Sequence, residues 1–261
     1  MNARQIAYRA FAWGGALLFA AALAYFLFSY SVTFGEITAG DTPGGSVLRT
    51  IAIDIALFSA FALHHSIFAR IPVRAAIRRI VPVQLERSVY VWVASLMLIG
   101  TCYWWQAVPG VAWHTPRPWS WAMLVVQVAG IWLTLRSAAV IDGLELAGVR
   151  HLVGRGRPFR LRQGYGETSP KREARRRAGR PDMEFKTVGP YGWVRHPIYL
   201  GWILVVFALG TMTMTRLVFA VVSSIYLLVA IPFEERTLRA QSEAYADYMQ
   251  RVPRKLIPGL Y

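Results

Sequence analysis

Long apolar runs separated by polar segments dominate the chain. Four of them, Ala10 to Val32, Leu48 to Phe68, Val89 to Val108 and Trp119 to Ile141, each supply the about 20 residues that a helix needs to cross roughly 30 Å of hydrocarbon. A fifth run, Ile198 to Ile231, is 34 residues long and carries Gly210, Thr211, Thr213, Thr215 and Arg216 near its middle. It reads as two shorter helices joined by a tight turn. The pattern therefore predicts an all-α, polytopic integral membrane protein with about six apolar helices, the last two forming a hairpin. Beyond Ile231, Leu238, Tyr245, Tyr248, Met249 and Val252 recur at helical spacing, which predicts an amphipathic helix lying along the membrane or over a pocket.

Charge placement supports this reading and orients it. The sequence is 55% hydrophobic and only 16% charged, yet carries a formal net charge of +15. With the N-terminus inside, segments 1–9, 69–88, 142–197 and 232–261 face the cytoplasm and hold 25 of the 29 Lys and Arg, whereas the loops 33–47 and 109–118 hold only Arg117. That asymmetry follows the positive-inside rule and makes nucleic-acid binding unnecessary as an explanation of the charge. The expected location is a bacterial inner membrane, with both termini cytoplasmic. Arg4 and Arg9 before an apolar run, with Ala20-Ala21-Ala22 after it, also suit a signal peptide. The run continues through Tyr25-Phe26-Leu27-Phe28, so it is read as a retained helix.

Three regions follow: a four-helix membrane region over 1–141, a basic cytoplasmic loop over 142–188, and a C-terminal region over 189–261. Within the loop, residues 163–182 have almost no large apolar side chains and six Lys or Arg, which predicts a mobile linker near anionic headgroups. The single cysteine, Cys102, excludes a disulfide framework and a cysteine-built metal site. No metal is expected.

Polar side chains inside or at the ends of apolar helices are the candidates for chemistry, because burying them is costly. The N-terminal half offers Asp54, His64-His65-Ser66 and Gln106, which read first as structural or interfacial groups. Two adjacent histidines point to different faces of a helix, so they make a poor metal site. The fourth run carries Gln127 and, near its inner end, Arg136, followed by Asp142, Glu145 and Arg150. The C-terminal region is richer. Thr187 to Gly201 sets a Gly/Pro turn, Tyr191, Arg195 and His196 directly before an apolar helix that Pro197 opens. Amides at that helix start suit a carboxylate or phosphate, and Tyr191 and Tyr199 could flank a planar ring. An interfacial aromatic belt accounts for the same residue types equally well. The last apolar helix ends in Ile231-Pro232-Phe233-Glu234-Glu235, which returns Glu234 and Glu235 to the depth of His196 and Tyr199. In the simplest alternative, Glu235 pairs with Arg239 four residues on.

GPYGWVRHPIYLG at 189–201, the hairpin, EERTL at 234–238 and SEAYADYMQRVPRKLIP at 242–258 together resemble the C-terminal signature of the isoprenylcysteine carboxyl methyltransferase-like membrane enzymes. The resemblance implies S-adenosylmethionine as methyl donor. It carries donor binding onto Tyr191, His196, Pro197, Ile198, Tyr199 and Glu234, with Glu235 beside them, and more loosely onto Met183 to Lys186. The eukaryotic prenylcysteine enzymes place a carboxylate-facing arginine where this chain has Ala230, which points away from a carboxylate acceptor. HHSIFAR at 64–70, ERSVYVWVASL at 86–96, VIDGLELAGVRH at 140–151, FKTVGPYGWVRHPIYLG at 185–201 and TMTMTRLVFA at 211–220 are similar to the bacterial methanethiol S-methyltransferases. That likeness implies methylation of a small thiol to a thioether such as dimethyl sulfide. A thiol reacts as its thiolate. Arg195 or Arg136 is then expected to hold that anion, with His196 as the nearby base. A prenylcysteine or lipid acceptor, an NADPH-dependent reductase and a non-enzymatic scaffold are the competing readings.

Overall fold

The computed structural model describes residues 2–36, 46–68, 76–141, 189–241 and 243–257, together with positions 73, 147 and 149. Asp142, Glu145, Arg150, the basic stretch 163–182 and Met183 to Lys186 lie outside the described residues.

Seven helices of nine or more residues, two short 3-10 turns and one small sheet are the main elements among the described residues. Helices α1 (Ala3–Ser31), α2 (Val47–Phe68), α3 (Glu86–Trp104) and α4 (Trp119–Ile141) come from the first four apolar runs. Then follow α5 (Pro197–Phe207), α6 (Met214–Gln241) and α7 (Glu243–Arg251). Four of them, α1, α2, α4 and α6, are long and apolar enough to cross a membrane, and α5 is apolar but shorter. At 1.5 Å per residue its 11 residues rise only about 16 Å.

The link between α5 and α6 is not the tight turn that the sequence suggests. Ala208 to Gly210 run on from α5 into strand β2 (Thr211–Thr213), which pairs antiparallel with β1 (Val111–His114). The two polar loops at this end of the bundle thus satisfy each other's backbone, with Thr115 N donating to Gly210 O and Met214 N to Gly110 O. The all-α expectation misses this sheet. Its strands are too short, and β2 sits in the middle of an apolar run.

Helix α6 also departs from the expected boundary at Ile231. It continues unbroken through Pro232 to Gln241. An internal proline removes one helical hydrogen bond, and here the side chains just beyond it, Glu234 and Glu235, are held by partners from another element.

The core sits where the membrane helices converge on Phe219 of α6. Its ring lies 5.4 Å from Phe26 and Tyr30 of α1, 5.5 Å from Phe58 of α2 and 5.0 Å from Trp105 after α3. Aromatic edges and faces at these separations add directional packing to simple burial. Helices α4 and α5 cross through small residues instead. A Cβ on Gly201 would meet Thr134 Oγ1 at 2.3 Å and the Gly130 carbonyl at 2.8 Å, so only glycine permits this approach. Gln127 of α4 adds a bond to the Val205 carbonyl at 3.2 Å.

Candidate active site

The site is assembled at the end of the bundle opposite the β1–β2 sheet, where α5 begins and α6 ends. A 3-10 turn, Gly189–Gly192, leads in, and Gly189 has φ of +66°, a conformation that favours glycine. Pro197 occupies the first turn of α5, where its missing N–H is no loss.

Six side chains meet here. Glu235 Oε1 accepts from Arg195 Nε at 2.7 Å and lies 3.0 Å from His196 Nε2. Glu234 Oε2 accepts from the Tyr199 hydroxyl at 2.8 Å and lies 3.9 Å from His196 Nδ1. Tyr191 stands close enough to act electrostatically with Glu234 and Tyr199. The expected convergence of Tyr191, His196, Tyr199, Glu234 and Glu235 is therefore present in the fold. The Glu235–Arg239 pairing is replaced by Glu235 with Arg195 and His196.

The two adjacent carboxylates have different tasks. Glu235 is 9% exposed and its Oε1 is shared between two cationic or polar groups, whereas Glu234 is 40% exposed. Glu235 thus acts as an internal strut, and Glu234 keeps a carboxylate face open.

Arg195, expected to face an anionic acceptor, points elsewhere. Besides Glu235, its Nη1 donates to the carbonyls of Val252 at 2.9 Å and Pro253 at 2.6 Å. Backbone pairing continues the contact, with Arg195 N donating to Arg254 O and His196 N to Lys255 O, both at 2.9 Å. Residues 252–256 therefore form a strap across the start of α5. The amides of Arg195 and His196, proposed from sequence as an anion seat, are occupied by this strap. Tyr199 N and Leu200 N turn back to the His196 carbonyl, and Pro197 has no N–H.

Tyr199 stacks on His196 at 5.4 Å and 19°. One face of the tyrosine is thereby committed to His196. Ile198 follows in the first turn of α5, half-buried. Arg136 lies exposed near the C-terminal end of α4, and no hydrogen bond or ion pair joins it to the cluster.

Helix α7 covers the turn. Tyr245, Tyr248 and Val252 form a small cluster with Leu238 and Met249, and the Tyr248 hydroxyl donates to the Tyr191 carbonyl at 2.9 Å. Burial pushes the Tyr248 phenol up to about 12, and it raises Tyr191 and Tyr245 as well, with Glu234 adding to both. These phenols stay neutral donors at physiological pH. An open cleft of about 510 Å³ lies beside α6 and α7, lined by Pro232, Glu235, Arg236, Arg239, Ala240 and Met249. Among the described residues it shares only Glu235 with the cluster.

Sequence reasoning missed the strap, because backbone carbonyls carry no residue signature. No group of three or more His, Cys, Asp or Glu suited to a metal occurs among the described residues.

The isoprenylcysteine carboxyl methyltransferase (ICMT) family matches residues 175–241, which include the His196–Glu235 cluster. Methanethiol S-methyltransferase 2 of Bradyrhizobium diazoefficiens is 32% identical over 214 residues, 82% of this chain and 75% of its own length. The methanethiol S-methyltransferase of Mycobacterium tuberculosis is 32% identical over 237 residues, 86% of this chain and 87% of its own. That of Crocosphaera subtropica is 34% identical over 215 residues, 82% and 76%. No solved structure matches the chain. With relatives this similar along most of both lengths, and the family's characteristic region carrying the buried cluster, the chain belongs to the isoprenylcysteine carboxyl methyltransferase-like family of integral membrane methyltransferases that includes them.

Proposed function

We propose that this protein transfers a methyl group from S-adenosylmethionine to a small thiol, with methanethiol the first candidate and dimethyl sulfide the product. The names of the relatives suggest the acceptor. The observation that carries the donor assignment is Glu234: a carboxylate left 40% exposed, oriented by Tyr199, beside a fully committed neighbour. An open carboxylate of this kind fits a donor that presents an ammonium group and ribose hydroxyls. Tyr191, His196, Pro197, Ile198 and Tyr199 line the same corner and orient that donor. Glu235 and Arg195 hold the corner in place and do not touch the donor.

The sulfonium, when bound, supplies an activated methyl. What the protein must add is alignment and exclusion of water. Tyr199 and His196, stacked and hydrogen-bonded to the two glutamates, hold one wall fixed. Helix α7 and the strap 252–256 hold the turn that carries Tyr191.

The proposed topology has six crossings, with α3 and the α5–α6 hairpin joining the others, both termini cytoplasmic in a bacterial inner membrane, and α7 at the interface. The acceptor then enters from the apolar side. Ala230, where prenylcysteine enzymes carry an arginine, favours a small uncharged acceptor over a carboxylate.

The test is direct. Detergent-solubilised protein given S-adenosylmethionine and methanethiol should release dimethyl sulfide into the headspace. Binding of NADPH with no binding of S-adenosylmethionine would overturn the reading.

A further inference from the structure

We infer that His64 is the base that accepts the proton of the thiol acceptor; this rests on the thiol-methylation reading above. Both ring nitrogens of His64 are buried and neither has a hydrogen-bond partner. A buried polar group left unpaired loses its hydration without recompense, and such a group in a native fold calls for a reason. Packing does not supply one. The ring lies 4.3 Å from Phe68 and stacks on Tyr90 at 5.7 Å and 11°, a niche that a phenylalanine would fill without that cost.

The position is right for the donor corner. A hydrogen bond of 2.6 Å between Tyr226 and Ser59 sets α2 beside α6, both running toward the inner end. At 1.5 Å per residue, His64 lies about 7.5 Å beyond that contact and Glu234 about 12 Å beyond it. The two are thus within roughly one helical turn in depth. Tyr90 of α3 joins them, since it stacks on His64 and acts electrostatically on Tyr199, which binds Glu234. Among the described residues, the charged and titratable groups on the elements beside His64 are Tyr90, Arg87 over the Tyr90 ring at 4.9 Å, and Glu86, which pairs with Arg78. Glu234, Glu235 and Arg236 are those on α6.

A neutral imidazole with a free lone pair in an apolar niche suits an uncharged thiol arriving from the bilayer. As the thiol sulfur bonds to the methyl carbon, the bond from that carbon to the donor sulfonium breaks and its electron pair stays on the donor sulfur. The S–H proton passes to an imidazole nitrogen of His64, and the imidazolium then loses it to water at the inner end. The products are two neutral thioether sulfurs and one proton. His196, by contrast, has Nε2 committed to Glu235.

The test compares methanethiol with methaneselenol, nearly the same size but ionised at neutral pH, in His64→Gln and His64→Phe. Loss of a positioned base lowers turnover about 10²–10⁴-fold. That loss is expected for methanethiol alone, shrinking as pH rises and solvent ionises the thiol, with selenol methylation and S-adenosylmethionine affinity unchanged. Equal loss for both acceptors would make His64 a structural residue and overturn the inference, as would full activity toward both. A wild-type protein that binds donor but methylates neither acceptor would overturn the thiol reading itself, and the inference with it.

Discussion

Two buried arginines close the two ends of this helical bundle, and they do so differently. At the sheet end, Arg216 in the first turn of α6 donates through Nε to the Tyr30 carbonyl at 2.9 Å, through Nη1 to that of Thr211 at 2.8 Å, and through Nη2 to that of Ser31. It meets no carboxylate among these partners; it caps the end of α1 with neutral dipoles. Gly35 is pressed against its guanidinium, where a Cβ would have no room. Arg195, at the other end, combines two carbonyls of the strap with a buried carboxylate. One end is a closed staple. The other is a charged scaffold that leaves Glu234 open next to it.

The difference teaches how a membrane protein can hold an exposed acid in one place. A lone carboxylate at the end of an apolar helix would swing toward water. Here its neighbour Glu235 is locked by Arg195 and His196, and Tyr199 takes one oxygen of Glu234. The open group inherits its position from the closed one.

Breaking the scaffold should have the largest effect. Glu235→Ala leaves Arg195 and His196 without their carboxylate, and removing one member of a buried ion pair typically costs about 3–5 kcal/mol. Thermal unfolding in detergent should fall accordingly, with donor affinity lost together with the fold of the strap. A small shift would mean that Glu235 is not the anchor.

Breaking the staple should cost less and leave the site alone. Arg216→Met strands the Tyr30, Ser31 and Thr211 carbonyls; Ser31 is exposed and Thr211 half-buried, so water takes up those two, and the buried Tyr30 carbonyl leaves a cost of about 1–3 kcal/mol. The midpoint of unfolding should drop, while the protein that remains folded binds donor with unchanged affinity. Loss of affinity without loss of stability would show that the two ends are coupled.

The smallest effect concerns the cover. Tyr248 has its phenol raised from 10.0 to about 12 by burial. The folded state holds this proton more tightly than the unfolded state, so the contribution is whole below pH 10 and fades as pH rises from 10 toward about 12. A difference titration of the phenolate absorbance, wild type against Tyr248→Phe, should show one tyrosine ionising well above 10. Ionisation at the ordinary value would mean that α7 does not bury it.

Much of this was legible in the sequence for definite reasons. Apolar runs of span length located α1 to α4, because hydrocarbon demands continuous hydrophobicity. The RHPIYLG and EER segments pointed to the cluster, because acids, a histidine and tyrosines are expensive at the ends of apolar helices and so stand out. What escaped was non-local or made of backbone. The β1–β2 pairing joins residues about a hundred positions apart through main-chain bonds. The strap at 252–256 acts through its carbonyls. Continuation of α6 past Pro232 depends on partners that only the fold brings to Glu234 and Glu235. Adjacent glutamates look alike in a sequence, and only burial separates the strut from the open acid.

That separation is the central claim, and one measurement tests it most directly: calorimetric titration of S-adenosylmethionine into Glu234→Gln, with its thermal unfolding recorded alongside. The expected result is a midpoint close to wild type and a donor affinity reduced at least about tenfold, equivalent to 1.4 kcal/mol. Unchanged affinity in a normally stable protein would contradict the assignment of Glu234 to the donor.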